Sequence, residues 1–436
     1  MAVNLQAVPG TGLVITPDNS GNMTFSTGLG SGNVAMTINA GNSAVSINTL
    51  TTTSNLTIGT LSFTDATQFN TAQSLGPRNK IINGAMVIDQ RNAGASVTIT
   101  SSAYCLDRWL AYASQSSKYS VQQNAGSVTP PSGYAKYLGV TSLSSYAVTS
   151  TDYFLMTQLI EGLNTYDLNW GTSSASSVTL SFWVRSSLTG TFSGAVFQAN
   201  TTNACYVFTY TVNSANTWEY KTVTIAGPTI GTWPSTNAAS IQVNFNLGSG
   251  STNLTSSTGA WAAGANYFGS TGSQSVVGTN GATFYITGVQ LEVGSVATPF
   301  ERRQYGQELA LCQRYYENIA GGITTYNATS SAAKAVVNML VPKRGTMSIG
   351  LISGTTWYFQ SMASTFASGS NGYVGTGIYT GPTSITQYGG SVNSQVILFD
   401  LVAPSTLPTG MGYMFFGSNN LNSALTGVGM YVSSEL

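Results

Sequence analysis

An all-β fold is predicted for this sequence, and three features of its composition predict it. Charged residues make up only 6% of the 436 residues, while 42% are hydrophobic and 11% aromatic. An average soluble domain has about 25% charged residues, and disordered chains are rich in charge and poor in aromatics. The polar share comes from Gly, Ser, Thr and Asn, which supply turns, while Thr and the aromatics favour strands. We therefore expect many short strands joined by many loops.

The composition also excludes several classes of function. No histidine is present, so Ser-His-Asp and Cys-His nucleophiles and histidine metal sites cannot form. The formal net charge is zero, and the basic doublets are Arg302-Arg303 and Lys343-Arg344. Nucleic-acid binding needs clustered cations against phosphate, so we expect none. A chain without net charge is not kept apart by repulsion, which favours assembly.

The cysteines and the hydropathy pattern predict a chain without disulfides, cofactor or membrane insertion. Cys105, Cys205 and Cys312 are widely spaced and odd in number, which is not typical of a disulfide framework or a metal site. They are predicted to be buried thiols of a reducing compartment. No run approaches the ~20 apolar residues of a membrane helix, and the start, MAVNLQAVPG, lacks a signal-peptide pattern.

Residues 1–77 differ from the rest because they contain only two charged residues, Asp18 and Asp65. Short alternating apolar runs such as Val34–Ile38 and Leu61–Phe63 predict strands, each too short to build a core alone. Two interpretations stay open. The segment is ordered by wrapping with other copies or docking on another protein, or it is a low-complexity leader. We assign it as an attachment or shaft segment.

Charge returns at Arg78, and residues 78–298 are predicted to form a β-sandwich of jelly-roll type. Strand candidates separated by turn residues follow at sandwich spacing. The run Val178–Arg185 alternates clearly and predicts that Val178, Leu180, Phe182 and Val184 face a core. Trp109, Trp170 and Trp183 are also expected in the core. The predicted strands are Ile81–Ile88, Ser96–Thr100, Arg108–Tyr112, Tyr134–Val140, Phe154–Leu159, Val178–Arg185, Cys205–Val212, Glu219–Ile225, Ile241–Leu247 and Ala282–Val293.

One short helix is predicted at residues 299–322. Thr298, Pro299 and Glu301 have the spacing of a capping box with proline in the first turn. Apolar residues then recur at spacings of four and three, until Gly321-Gly322 ends the pattern. The helix either joins a coiled-coil seam or packs on its own sandwich. Residues 323–436 are rich in β-formers and are predicted to be a C-terminal β-sandwich domain, the candidate receptor-binding tip.

Catalysis is not predicted. The remaining enzymatic chemistry is glycan cleavage by paired carboxylates. Asp152, Glu161 and Asp167 are the best cluster of acids for it, but ordinary surface acids are the better explanation of the three. We therefore predict no enzyme and no catalytic residues.

Aromatic residues on loops rich in Gly, Ser and Asn are the candidate ligand-binding residues. Sugar rings stack on aromatic rings, while amide and hydroxyl side chains bond sugar hydroxyls, so that a neutral glycan needs no charged partner. The alternative is that the same rings hold loops onto the sandwich. The candidates are Trp261, Tyr267 and Phe268 in the long loop 248–281, and Trp357, Tyr358, Tyr373 and Tyr379 in the C-terminal segment.

Two stretches resemble a known family. RNKIINGAMVIDQRN at 78–92, followed by YCLDRW at 104–109, resembles the opening of a module found in tail-fibre and other virion proteins of bacteriophages. TFYITGVQLEVG at 283–294, followed by ATPFERR at 297–303, resembles its close. The resemblance spans residues 78–316, about half of the chain. It implies a jelly-roll similar to carbohydrate-binding modules, carried on a phage particle.

The same resemblance bears on a metal site. Related carbohydrate-binding jelly-rolls often hold a structural calcium near their first strand, through an acid that follows an Asn-Gly pair. Here Ala85 follows Asn83-Gly84, so that acid is missing, although Glu292 could still contribute. No metal is predicted.

The function predicted from these observations is that of a homotrimeric phage tail fibre. Residues 1–77 would attach it to other virion proteins, and a host surface glycan would be its receptor. The protein would be assembled in the bacterial cytoplasm and located in the virion. Two alternatives are a capsid decoration or head-fibre protein without ligand, and a depolymerase tailspike.

Overall fold

A computed structural model of the chain divides into two compact units, residues 1–58 and 59–436. It describes residues 13–17, 23–27, 61–62, 68–69, 77–199, 204–264, 266–319, 323–329, 332–345, 347–351, 356–361, 378–380, 384–389, 396–402, 412–418 and 430–435. Side chains are described at 77–199, 204–264, 266–319, 338–345, 347–348 and 431–435. The expected all-β class is confirmed, because strands dominate these segments.

The first unit contains an antiparallel pair, β1 (Leu13–Pro17) and β2 (Met23–Thr27). In the second unit, β3 (Leu61–Ser62) pairs with β4 (Gln68–Phe69). The strands that follow in the central region are β5 (Val97–Thr98), β6 (Ser102–Leu106), β7 (Trp109–Ala113), β8 (Tyr119–Gln123), β9 (Leu138–Ser142), β10 (Tyr153–Glu161), β11 (Val178–Ser186), β12 (Gly190–Gln198), β13 (Ala204–Val212), β14 (Glu219–Ile225), β15 (Ala239–Ser249), β16 (Leu254–Thr255), β17 (Trp261–Ala263), β18 (Gly269–Ser270) and β19 (Thr283–Val293).

Apart from β16 and β18, which form a separate parallel pair, these central strands form a β-sandwich of two antiparallel sheets. The seven-stranded sheet has the order β17-β13-β12-β15-β10-β7-β6, and the six-stranded sheet has the order β14-β11-β19-β9-β8-β5. Successive strands β9, β10, β11 and β12 lie alternately in the two sheets, which is the connectivity of jelly-roll folds. The sandwich agrees with the sequence prediction, including the inward face of β11.

The core lies between the two sheets and is built from alternate residues of their strands. Trp109, Phe154, Phe182 and Phe245 are buried there, in one cluster with 35 other buried residues. Burying one such side chain contributes roughly 1.5–3 kcal/mol. Because side chains alternate across a strand, the neighbouring residues face outward on one sheet or the other.

Several predicted strand boundaries were wrong. Residues 81–88 form a turn rather than a strand, because Asn83 has a φ of 58° and its side chain bonds both the N–H and the C=O of Ile88. Six strands of the central region were missed, namely β6, β8, β12 and the short β16, β17 and β18 of the predicted loop 248–281. In β12, Gly190 and Gly194 read as turn residues, yet Gly194 is required because a Cβ there would overlap the Asn244 carbonyl and the Phe208 ring.

The helix prediction was also wrong in its bounds. The helix, α1, spans Tyr305–Gln313 with Gln304 as its N-cap. Thr298 and Glu301 do not cap it, because Thr298 bonds Glu292 and Glu301 accepts the N–H groups of residues 78 and 79. The buried Cys312 of α1 packs against the residues of the 82–88 turn, on its own sandwich. None of the described helices is long and apolar enough to cross a membrane.

Beyond α1 most of the described residues are again in strands. They are β20 (Tyr316–Ile319), β21 (Ile323–Thr329), β22 (Ala332–Asn338), β23 (Ser348–Leu351), β24 (Thr356–Ser361), β25 (Ile378–Thr380), β26 (Ser384–Gly389), β27 (Val396–Val402), β28 (Gly412–Ser418) and β29 (Met430–Ser433). A three-stranded sheet has the order β20-β29-β23, and a seven-stranded sheet has the order β25-β24-β28-β21-β22-β27-β26. The predicted domain boundaries at 77, 298 and 322 stay predictions.

Candidate functional site

Trp261, the first predicted ligand residue, lies in the edge strand β17. Its ring packs against Trp170 at 5.4 Å and Trp233 at 5.8 Å between centroids, at the margin of the inter-sheet core. Its indole N–H donates to the carbonyl of Ala226 at 2.6 Å. The side chain is thus held by its own fold, and it remains partly exposed.

Tyr267 and Phe268 lie on the other side of the same sheet. Both pack on its outer face, against a buried cluster that contains Phe197 and Cys205. Phe268 also lies 5.4 Å from the ring of Tyr153. The structure therefore brings Tyr267 and Phe268 together but separates them from Trp261.

The predicted C-terminal residues lie outside the part of the chain whose side chains are described. Trp357 and Tyr358 belong to β24 and Tyr379 to β25, where the backbone register places Tyr379 opposite Phe359. Tyr373 lies outside the described residues altogether. The prediction that these four bind a ligand stays a prediction.

A row of polar side chains crosses the outer face of the seven-stranded sheet. Asn244 on β15 is opposite Thr157 on β10, whose hydroxyl donates to the Asn244 amide oxygen. Gln242 donates to the same oxygen at 3.1 Å. The Asn244 side chain is fully buried, and its amide nitrogen has no hydrogen-bond partner. If the amide oxygen and nitrogen of Asn244 were exchanged, the oxygen would become the atom without a partner.

A different group of aromatic residues covers the outer face of the six-stranded sheet. Trp183 on β11 is directly opposite Tyr220 on β14, and their ring centroids are 5.5 Å apart at 50°. Tyr220 is 43% exposed, and Trp183 is partly exposed. The expectation that Trp183 is a core residue was wrong. Its neighbours Phe182 and Val184 point into the core, so alternation places Trp183 outside.

Trp183 also differs from the other tryptophans whose side chains are described. Five of them donate the indole N–H to a backbone carbonyl, namely Trp109, Trp170, Trp218, Trp233 and Trp261. Among the described residues, the Trp183 indole N–H has no such partner. Trp183 therefore presents an apolar ring together with a free donor on a sheet face, which is the arrangement that polar ring-shaped ligands use.

Tyr134 extends this surface across the sheet, and a β-bulge makes room for it. The register between β11 and β19 shifts, so that Ser181 is opposite Gln290 while Trp183 is opposite Thr287. Gly288 in the bulge has a φ of 62°, and a Cβ there would lie 2.5 Å from the Tyr134 hydroxyl. Only glycine fits both conditions comfortably.

Tyr134 contacts the residues that follow β19. Its ring lies 5.5 Å from that of Phe300, and the guanidinium of Arg302 lies 4.7 Å from its centroid. Burial raises the pKa of Tyr134 to about 12, against the opposing effect of Arg302, and Tyr220 adds to the rise. The Tyr134 hydroxyl is therefore neutral and able to donate at neutral pH. We name Trp183, Tyr220, Tyr134 and Phe300 the aromatic band.

The three acids singled out for glycan cleavage each have structural partners. Asp152 accepts hydrogen bonds from Ser114, Tyr146 and Thr149. Glu161 pairs with Arg314 at 2.6 Å and accepts the Tyr315 hydroxyl, and Asp167 pairs with Lys80 at 2.7 Å. Each carboxylate thus serves to join segments of the fold. That the chain is not an enzyme stays a prediction.

The residues near the first strand do not fit a calcium ion. Glu292, the acid that could contribute, is buried, and both its oxygens accept protein donors, from Thr298 and Gln290. Across the described residues, no group of three or more acids or cysteines is placed to hold a metal. The three cysteines are buried free thiols.

Comparison with known proteins gives likenesses of fold and no family. No family model matches the sequence, and no curated protein matches it. Among solved structures, the enzymatically active domain of tailspike protein 4 of bacteriophage CBA120 matches at 12% identity and a TM-score of 0.25. That match covers 50% of this chain and 21% of the tailspike chain.

Two smaller proteins match over their whole length. A candidate sugar-binding protein from Bacteroides thetaiotaomicron matches at 11% identity and a TM-score of 0.31, covering 50% of this chain. A family 11 carbohydrate-binding module of Clostridium thermocellum matches at 13% identity and a TM-score of 0.22, covering 49% of this chain. At these identities and TM-scores, the likenesses establish neither the family nor the function of this chain.

Proposed function

We propose that this chain is a structural protein of a bacteriophage particle, a tail fibre that binds a host surface glycan through the aromatic band. The virion assignment rests on the resemblance of residues 78–109 and 283–316 to the ends of a phage module. The glycan assignment rests on the geometry of the outer face of the six-stranded sheet.

One observation carries the glycan assignment, the partly exposed Trp183 beside the exposed Tyr220. A sheet face open to solvent usually carries polar residues, and large apolar rings on such a face are informative where they are adjacent. The centroids of these rings are 5.5 Å apart, so the rings contact each other and form one apolar surface on which a sugar ring can stack. The free indole N–H of Trp183 and the neutral hydroxyl of Tyr134 supply donors for sugar hydroxyls.

The binding test compares Trp183→Ala with Tyr153→Ala on an array of purified bacterial surface polysaccharides. Tyr153 is also a partly exposed ring that packs on a second ring, that of Phe268 at 5.4 Å, but it lies on the seven-stranded sheet, so it is a matched control. We expect Trp183→Ala to weaken binding roughly tenfold, the scale of a lost stacking contact, while Tyr153→Ala binds normally. Equal binding by both variants would reject the aromatic band as the site.

The virion assignment has its own tests. Antibody labelling of intact particles should mark the tail, and labelling of the capsid shell would favour the head-fibre alternative. Light scattering should give a trimer, so a monomer at micromolar concentration would contradict the homotrimer. The non-enzymatic assignment fails if incubation with a bound polysaccharide releases new reducing ends.

A further inference from the structure

The charge around the aromatic band bears on the chemistry of its ligand. Arg302 is exposed, and its guanidinium lies over the rings of Tyr134 and Phe300, at 4.7 and 5.7 Å from their centroids. Among the described residues it forms no ion pair, unlike its neighbour Arg303, which lies 3.3 Å from Glu308. The two adjacent arginines thus have different surroundings.

One further cation lies on the same sheet face without a carboxylate partner in the described chain. Arg185 on β11 donates to the Asn216 carbonyl and lies 5.5 Å from the Tyr285 ring. The face that carries the aromatic band therefore has two positive side chains, Arg302 and Arg185, whose charge no ion pair among the described residues cancels.

The neighbouring carboxylates Glu301 and Glu292 are directed elsewhere. Glu301 accepts the backbone N–H groups of Arg78 and Asn79, at 2.9 and 2.6 Å, and its charge is paired with Arg303 at 3.8 Å. Glu292 is buried under Thr298. An exposed guanidinium that stacks on an aromatic ring keeps its donors free, and its planar fork matches a carboxylate.

We infer that the saccharide bound by the aromatic band is acidic, and that Arg302 receives a uronate carboxylate of it. This inference rests on the proposed function and names its ligand class. One uronate residue can stack on an aromatic ring and present its carboxylate to Arg302 at the same time, because the carboxylate is attached directly to the sugar ring. Tyr134 joins the two parts of the surface, since its ring lies 4.7 Å from the Arg302 guanidinium and its hydroxyl lies against Gly288, the residue after the Thr287 that is opposite Trp183. The neutral glycan expected from the sequence is thereby replaced.

The test uses three polyuronates, namely polygalacturonate, alginate and hyaluronate, each beside its carboxyl-reduced form. Reduction turns each carboxylate into an alcohol and leaves the sugar rings in place. In affinity electrophoresis of the full chain, we expect at least one acidic form to bind roughly tenfold or more tightly than its reduced form. The preference should weaken as NaCl is raised from 0.05 to 0.5 M.

Variants separate the contribution of Arg302 from stacking. Arg302→Gln should abolish the preference for the acidic form, and Arg302→Lys should restore part of it. Lys118→Gln is the matched control, because Lys118 also lies over a tyrosine ring, that of Tyr146 at 4.5 Å, away from the aromatic band. It should keep the full preference.

The outcomes distinguish this inference from the proposed function. Equal binding of acidic and reduced forms, still lost in Trp183→Ala, overturns the acidic ligand and leaves glycan binding standing. A preference that survives in Arg302→Gln also overturns the inference. If the chain binds neutral polysaccharides but no polyuronate, the acidic ligand is likewise overturned. If it binds no polysaccharide at all, the proposed function itself is contradicted.

Discussion

The guanidinium of Arg108 lies 3.6 Å from the centroid of the Tyr315 ring and pairs with Glu435. Arg108 is 1% exposed. This contact joins three distant parts of the chain, the opening of the sandwich region, the end of α1 and the residues after β29. Glu435 also pairs with Arg91 at 2.7 Å. We name Arg91, Arg108, Tyr315 and Glu435 the polar clamp.

The polar clamp predicts a large loss of stability when its acid is neutralised. Glu435→Gln would leave the buried Arg108 without its counter-charge, which typically costs about 3–5 kcal/mol in the free energy of unfolding. Urea unfolding followed by tryptophan fluorescence measures it. The control is Asp167→Asn, which removes the pair with Lys80. Asp167 is 48% exposed, so that change should stay within about 1 kcal/mol. Similar losses in both variants would contradict the role of the clamp.

The β-bulge at Gly288 predicts a second, local effect. Gly288→Ala adds a Cβ that would overlap the Tyr134 ring, so Tyr134 must move away from the aromatic band. Gly272→Ala is the matched control, because Gly272 also has a positive φ, 78°, but nothing lies within 4 Å of its added Cβ. Both variants carry the backbone strain of about 1 kcal/mol. We expect Gly288→Ala to lose more stability and also saccharide binding, and equal effects would show that Tyr134 adapts.

The sequence predicted the sandwich well because burial alternates along its long strands. The run Val178–Arg185 contains both the inner face and, by the same alternation, the outward position of Trp183, which we nevertheless expected in the core. Large aromatic size favoured the core, but position on the strand decided the outcome. A Trp between two core-facing residues of a strand is therefore a usable signal for an exposed ring.

Other features were not predictable because they depend on distant partners. Thr298 and Glu301 have capping-box spacing, yet Glu301 is bound by residues 78 and 79, more than 220 positions away. Glu308 likewise accepts the N–H of Asn83. Charges gather near both ends of residues 78–316 because those ends bond to each other in the folded chain. No local pattern shows such pairing.

Asp152 predicts a specific dependence of stability on pH. Burial raises the pKa of its carboxyl, but hydrogen bonds from Thr149, Ser114 and Tyr146 outweigh that effect, so the pKa lies well below its usual value. The carboxylate therefore contributes stability above the usual pKa of about 4, and this contribution is lost as pH falls below it. Asp152→Asn should be less stable at pH 7 and lose less on going from pH 5 to pH 3.

Asp89 supplies the control for this pH dependence, because its shift has the opposite sign. Burial raises the pKa of Asp89 more than the N–H groups of Gly94 and Asn92 lower it. The folded state therefore holds the proton more tightly, and Asp89 favours folding as pH falls. As the pH falls, Asp89→Asn should lose stability more steeply than the unsubstituted chain, and Asp152→Asn should lose it less steeply. Urea midpoints at pH 7, 5, 4 and 3 decide it, and slopes that change in the same direction would refute the assignment.

The polar row on the seven-stranded sheet makes the last prediction. A buried amide with one unpaired end costs about 1–3 kcal/mol, so the Asn244 row does not serve stability by itself. Asn244→Leu alone leaves the buried hydroxyl of Thr157 and the amide N–H of Gln242 without their acceptor and should destabilise the fold. Adding Thr157→Val removes that hydroxyl, so the double variant should regain the part of the loss that the hydroxyl causes, because replacing both partners of a hydrogen bond by apolar groups is nearly neutral. A double-mutant cycle on urea unfolding measures the coupling. A double variant as unstable as the sum of the two single changes would show that packing, not the amide, determines this part of the sheet.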